Sequence, residues 1–126
     1  MSDERLREAP ASRFDAEALV FDVNAELTAL RAEGPPKHGH RQKTLFKHAG
    51  RTIALFAIDG GGSLPDHKTA GTVSVQAVEG EVNVAAGSTD HRLREGQVLV
   101  IAPNVRHSVA AEHPAAFLLQ VSLLSP

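Results

Sequence analysis

Cysteine, tryptophan and tyrosine are absent from this chain, and methionine occurs once. Without cysteine there is no disulfide framework, no thiolate nucleophile and no zinc–thiolate site. The absence fits a reducing compartment. Five phenylalanines are the whole aromatic complement, too few for the stacking platform on which unpaired bases are usually read. No single sign of charge dominates either: 13 basic residues stand against 15 acidic ones, a net charge of −2. Such a balance gives no global attraction to nucleic acid or to an anionic membrane. No apolar run approaches the roughly 20 residues that a membrane-spanning helix needs. Residues 1–10 are charged rather than apolar, unlike a secretory signal. We therefore expect a cytoplasmic protein with neither a nucleic-acid nor a membrane partner.

What is present is ordinary globular material, 42% apolar and 22% charged over 126 residues, the size of one domain. Three segments separate by pattern. Residues 1–13 are polar and read as a flexible N-terminus. Residues 14–41 read as a helix and a connecting segment. Val23, Leu27 and Leu30 fall at i, i+4 and i+7, one helical stripe. Asp22 is placed to cap that stripe, and Gly34-Pro35-Pro36 ends it near Glu33. Residues 18–21 suit a short strand as well as a helix. From residue 42 to 126 the texture changes to short β runs. They cover 44–47, 52–58, 72–78, 81–85, 91–94, 97–102, 107–111 and 115–122, with breaks at Ala49-Gly50, Glu79-Gly80 and 87–90. Short strands with turn signals at this spacing predict an all-β sandwich or barrel. Several runs, Val98-Leu99-Val100-Ile101 among them, are apolar on both faces. They need cover on both sides. The helix and a second copy of the chain are the two sources, which predicts a homodimer, the commonest oligomer.

The stretch from Gly61 to Ala111 resembles the cupin family. That family's first motif runs G-x5-H-x-H-x3,4-E-x6-G. Here Gly61, His67, Thr69, Val73 and Gly80 stand at those positions. The second motif runs G-x5-P-x-G-x2-H-x3-N, and here Gly96, Ala102, Asn104, His107 and Ala111 stand in its frame. Pro103 follows the proline position by one residue. Asn104 in the glycine position is physically reasonable, because asparagine tolerates positive φ better than other non-glycine residues. The fifteen residues between Gly80 and Gly96 also match the family's separation. The resemblance implies an all-β fold, a cupin-type antiparallel β-barrel of jelly-roll kind, preceded here by the short N-terminal helix.

The resemblance also implies a metal site, and this chain keeps half of it. Two histidines and a glutamate of the first motif join one histidine of the second around a divalent ion. Of those positions His67 and His107 remain, while Thr69 and Val73 replace a histidine and the carboxylate. Alternation places Val75 and Ala77 on the face of Val73, and Val109 and Ala111 on the face of His107. The implied pocket, His67, Thr69, Val73, Val75, His107 and Val109, is therefore largely apolar. Gln76 falls on the opposite face. Two imidazoles without a carboxylate predict no tightly held metal, only weak binding of Zn²⁺, Ni²⁺ or Cu²⁺ with water completing the shell.

Other features carry blander readings. Gly60-Gly61-Gly62 lacks the Gly-Lys-Ser/Thr ending of a phosphate loop and reads as a turn. Lys37, Arg41, Lys43, Lys47 and Arg51 form an acid-free basic stretch, read as a solvated face. His38-Gly39-His40 copies a His-x-His spacing but follows two prolines, so it reads as loop. A gate over the barrel or an extra ligand is its functional alternative. His48, His91 and His113 flank turns. Three functions fit this sequence. One is a domain binding a small molecule in the barrel interior, with its activity undetermined. Another is a metal-dependent dioxygenase- or isomerase-type enzyme with a non-standard ligand set, or a metal-free acid–base catalyst. The last is a structural or oligomerisation barrel.

Overall fold

A computed structural model describes residues 16–34 and 39–123. Helix α1 spans Val23–Ala32, and the Asp22 carboxylate accepts from the Ala25 backbone N–H at 3.0 Å. That bond satisfies one of the amides that a helix start leaves without a partner. Nine strands follow: β1 (His40–His48), β2 (Arg51–Ile58), β3 (Ser63–His67), β4 (Thr72–Glu79), β5 (Val82–Ala86), β6 (Thr89–Leu93), β7 (Val98–Ile101), β8 (His107–Ala110) and β9 (Ala115–Ser122). They form two antiparallel sheets, β1-β2-β9-β4-β7 and β3-β8-β5-β6. This is the mostly antiparallel, jelly-roll-like arrangement expected from the strand spacing and the motif frames.

Strand alternation decides which side chains meet. The inward positions of both sheets supply one core, with Phe56, Val75 and Phe117 from the larger sheet meeting Val84, Leu93 and Val109 from the smaller. The rings of Phe56 and Phe117, paired across β2 and β9, stack with centroids 4.9 Å apart. A second cluster lies on the outer face of the larger sheet, where Leu27 and Leu30 of α1 cover Leu45, Leu55, Ala57 and Ala116. Strand β2 is thus buried on both sides, and the helix is one of the two covers its sequence called for.

The basic stretch is more structural than a solvated face. Arg41 directs its guanidinium at the carbonyls of Glu33 (3.0 Å) and Gly34 (2.8 Å), just past the helix end. A cation there satisfies terminal carbonyls and complements the helix dipole. Lys43 pairs with Glu26 of α1 at 2.8 Å, with both side chains partly exposed. Lys47 and Arg51 are exposed, and Lys37 and His38 lie outside the described residues.

The structure departs from the sequence reading at several element boundaries: residues 18–21 are neither helix nor strand, and β6 starts at Thr89, inside the break expected at 87–90. Strand β1 begins at His40 rather than after residue 41, because His40 and Arg41 pair with Ile58 and Ala57. Strand β3 is not among the β runs that the sequence pattern marks out; only the motif frame, which sets His67 and His107 on adjoining strands, points to it. Its sequence, SLPDH, is polar and contains Pro65. It lies at the edge of its sheet, where a residue without an N–H costs no ladder bond, and its pairing with β8 is irregular between Leu64 and His67. The β1–β2 connection is a two-residue loop whose Ala49 and Gly50 both have positive φ, +50° and +80°. That is the backbone which matches the twist of two paired strands.

Candidate functional site

Two strands of the smaller sheet bring the motif histidines together. His67 is the last residue of β3, His107 is the first of β8, and they are directly paired. Their rings meet edge to face, with centroids 5.6 Å apart and planes at 86°. The environments differ. His107 is 6% exposed, whereas His67 is exposed. The pair stands where the core meets solvent, with one ring inside and one outside. His107 Nδ1 lies 3.1 Å from the Val105 carbonyl oxygen. A carbonyl only accepts, so Nδ1 is the donor in this contact, and whenever the ring is neutral Nε2 is the acceptor.

The loops around the pair are tied to each other. The Asn104 N–H donates to the Thr69 carbonyl at 2.8 Å, joining the β3–β4 loop to the β7–β8 loop. The Thr69 hydroxyl accepts from the Gly71 N–H at 3.2 Å, a local turn contact. Thr69 therefore sits beside the pair as a loop clamp, off the strand. Asn104 adopts φ +65°, the left-handed conformation that the glycine position of the motif frame demands. Val73, Val75 and Val109 are 1%, 0% and 4% exposed and belong to the core between the sheets, Val109 standing two residues along β8 from His107. Gln76 faces the other way, opposite Val98 on the outer side. The structure thus joins His67 to His107 and sets Thr69 in the loop after β3, tied to Asn104.

His40 is an inward-facing residue that the sequence reading had left in a loop. It pairs with the core residue Ile58, and its ring lies 6.3 Å from that of Phe56. Its Nδ1 is the one buried side-chain nitrogen or oxygen without a hydrogen-bond partner among the described residues. The alternation of β1 carries the signal, but only once the strand is known to start there. Two hollows of about 480 and 270 Å³ lie elsewhere, over the outer face of the smaller sheet. Asn83, Arg92 and Glu112 line both, and neither touches the histidine pair.

The donor set does not fit the divalent ion that the motif frame implies. The third and fourth positions are a hydroxyl occupied in a turn and an alkyl group buried in the core. Among the described residues, no three histidine, cysteine, aspartate or glutamate side chains converge into a metal-binding group. Two imidazoles fall short of the three protein ligands of an open catalytic site.

No family model and no curated protein matches this chain. Solved structures do. A conserved protein of unknown function from Streptococcus pyogenes is similar over 95% of this chain and all of its own, at 20% identity and a TM-score of 0.72. A cupin superfamily protein from Desulfitobacterium hafniense is similar over 92% of this chain and all of its own, at 15% identity and a TM-score of 0.70. An RmlC-like cupin from Shewanella frigidimarina matches 68% of this chain with 77% of its own, at 19% identity and a TM-score of 0.64. At these identities the likeness concerns the fold alone.

Proposed function

We propose that this chain, a small domain with the cupin fold, binds a small organic molecule at the mouth of its sandwich through His67 and His107. One observation carries the reading: an exposed and a buried imidazole in edge-to-face contact, the buried one oriented by the Val105 carbonyl. A neutral ring held in this way presents Nε2 as an acceptor of fixed direction, while the exposed ring is free to donate. Together they suit a hydroxyl or carboxyl group, and the core between the sheets suits an apolar remainder. Few placed polar groups beside an apolar core are the usual composition of a ligand site. The ligand sits at the rim rather than at depth, because stacked Phe56 and Phe117 occupy part of the interior. Cupin folds host many unrelated functions, so the fold does not choose the chemistry. No catalytic step is assigned.

Ligand-detected NMR with a panel of hydroxy acids, keto acids and sugars tests the reading, followed by calorimetry on wild type, His67→Ala and His107→Ala. We expect the bound compounds to lose at least about tenfold in affinity in both variants, the size of one lost hydrogen bond to a placed group. Binding that survives both substitutions overturns the reading. The same three proteins, stripped with chelator, are titrated with Mn²⁺ and Zn²⁺. Zn²⁺ should bind at about micromolar strength or weaker and Mn²⁺ more weakly still. Nanomolar Mn²⁺ binding that both variants lose would restore a metalloenzyme reading, with His40 the first further ligand to examine.

A further inference from the structure

Strand β1 is irregular near its end, and the irregularity changes which face its last residues present. Before it, His40, Gln42 and Thr44 pair with the core residues Ile58, Phe56 and Ala54, so those three take the inner face. Simple alternation would then turn Phe46 inward and Lys47 outward. Instead the register shifts between Thr44 and Phe46, and Leu45 joins the outer cluster under α1. Beyond the shift Phe46 pairs with Ile53, which packs on that outer cluster, and Lys47 pairs with Thr52. Thr52 lies two residues before the core residue Ala54 on a regular stretch of β2, so Thr52 and Lys47 share the inner face. One inserted residue re-aims a lysine from the outside of the sheet to the inside, which is what bulges beside functional sites do.

The lysine arrives at the end of the sandwich that holds the histidines. Lys47, Thr52, Val121 and Val73 form the inner row of the larger sheet there. His67, His107 and Ala86 form the inner row of the smaller sheet at the same end, because the loop after His67 leads to Thr72, which pairs with Ser122 and through it with Arg51. Lys47 is exposed, and its ammonium has no partner among the described residues. The acids of this end face elsewhere. Asp90 pairs with Ala85 on the outer side of the smaller sheet, and alternation turns Asp66 away from the face of His67. Lys68 and Arg106, next to the histidines in sequence, are exposed and add charge of the same sign. We infer that the ligand of this mouth is a small organic acid, its carboxylate on Lys47 Nζ and its remainder reaching the His67–His107 pair. The inference rests on the ligand reading above and names its chemical class. A cation at the mouth of a low-dielectric cleft draws anions to it. A carboxylate suits this end better than a phosphate, which is usually cradled by several free backbone amides. Here the amides of Gly71, Gly87 and Asn104 already donate to the Thr69 hydroxyl, the Arg106 carbonyl and the Thr69 carbonyl.

The probes are the hydroxy and keto acids of the panel, each set against its own primary amide, which has the same shape without the charge. Calorimetry compares wild type, Lys47→Gln, Lys47→Arg and Arg51→Gln, with circular dichroism to check folding. Wild type should bind an acid at least about tenfold more tightly than its amide. Lys47→Gln should abolish that preference while leaving amide binding unchanged, and Lys47→Arg should retain it. Arg51 is the control, a cation at the same end that alternation sets on the outer face beside Thr52. Its replacement removes the same charge and should change acid binding by no more than about twofold, because solvent and salt screen it. Four results overturn the inference: acids and amides binding alike, a preference that survives Lys47→Gln, an Arg51→Gln loss as large as that of Lys47→Gln, or no acid bound at all. The two readings fail separately. Sugars or amides whose binding needs the histidines, with no preference for acids, leave the histidine site standing without its anion. An acid preference that needs Lys47 but neither histidine removes the histidine contact and keeps the carboxylate on Lys47.

Discussion

At the scale of single residues, two positions hold the left-handed backbone without being glycine, and they illustrate opposite cases. Asn104, at φ +65°, is a residue type that tolerates this region, and its N–H ties the two loops beside the histidine pair. Ala49, at φ +50°, is not such a residue and sits in a two-residue hairpin loop that favours asparagine before glycine. The contrast gives a paired prediction. Ala49→Asn should raise stability by about 0.5–1 kcal/mol, and Asn104→Ala should lower it by about 1 kcal/mol, read from urea midpoints at unchanged slope. Gly50 next door is not replaceable. At φ +80°, a Cβ there would lie 2.3 Å from the Leu123 carbonyl oxygen. Much of the candidate site was legible at this scale. The motif spacing placed His67 and His107 on partnered strands, and it placed the left-handed residue at 104. The spacing did not reveal that Thr69 spends its hydroxyl on the Gly71 amide, or that His67 faces solvent while His107 does not. Those outcomes depend on loop conformation and on the irregular β3–β8 register, neither of which leaves a periodic trace in the sequence.

At the scale of elements, α1 is legible because three local signals agree: an aspartate cap, a stripe at helical spacing and a glycine after the end. Its role is less local. Leu30 is fully buried and the helix is pinned by Lys43 and Arg41 of β1. Most of what α1 contributes is therefore apolar cover for Leu55, Ala57 and Ala116. Leu30→Ala should cost about 2–5 kcal/mol in a denaturant titration, the range for deleting a buried leucine. Glu26→Gln should cost no more than about 1 kcal/mol, since a partly exposed ion pair is worth little once solvent competes for it. If the two substitutions cost the same, the helix is held by its charges and the packing account fails. Strand β3 shows where reading elements stops. An edge strand with a proline and polar side chains is made by its neighbour β8 and not by its own composition. The continuous apolar run of β2 announces itself because it is packed from both sides, and β4 announces itself by alternation, with Val73, Val75 and Ala77 turned to the core.

At the scale of the whole molecule, the strands that hold the fold together are far apart in the chain. Strand β2 pairs with β9 from Arg51↔Ser122 to Ile58↔Ala115, and β3 pairs with β8 from Ser63↔Ala110. Pairings of such sequence separation carry a loop-closure cost before they return any energy, and folds dominated by them fold in about milliseconds to seconds. Refolding from urea, followed by stopped-flow circular dichroism because the chain lacks tryptophan and tyrosine, should fall in that range. Microsecond refolding would show that a local nucleus around α1 and the β1–β2 hairpin suffices. The position of β9 has a further consequence. The last strand of the chain is the middle strand of the five-stranded sheet, flanked by β2 on one side and β4 on the other. During synthesis β2 and β4 emerge from the ribosome long before the segment that joins them. Both must wait, with apolar side chains uncovered, until Ser122 has cleared the exit tunnel. The larger sheet is therefore assembled only once β9 has been made, and a nascent chain truncated before Ala115 is the form of this protein that most needs a chaperone.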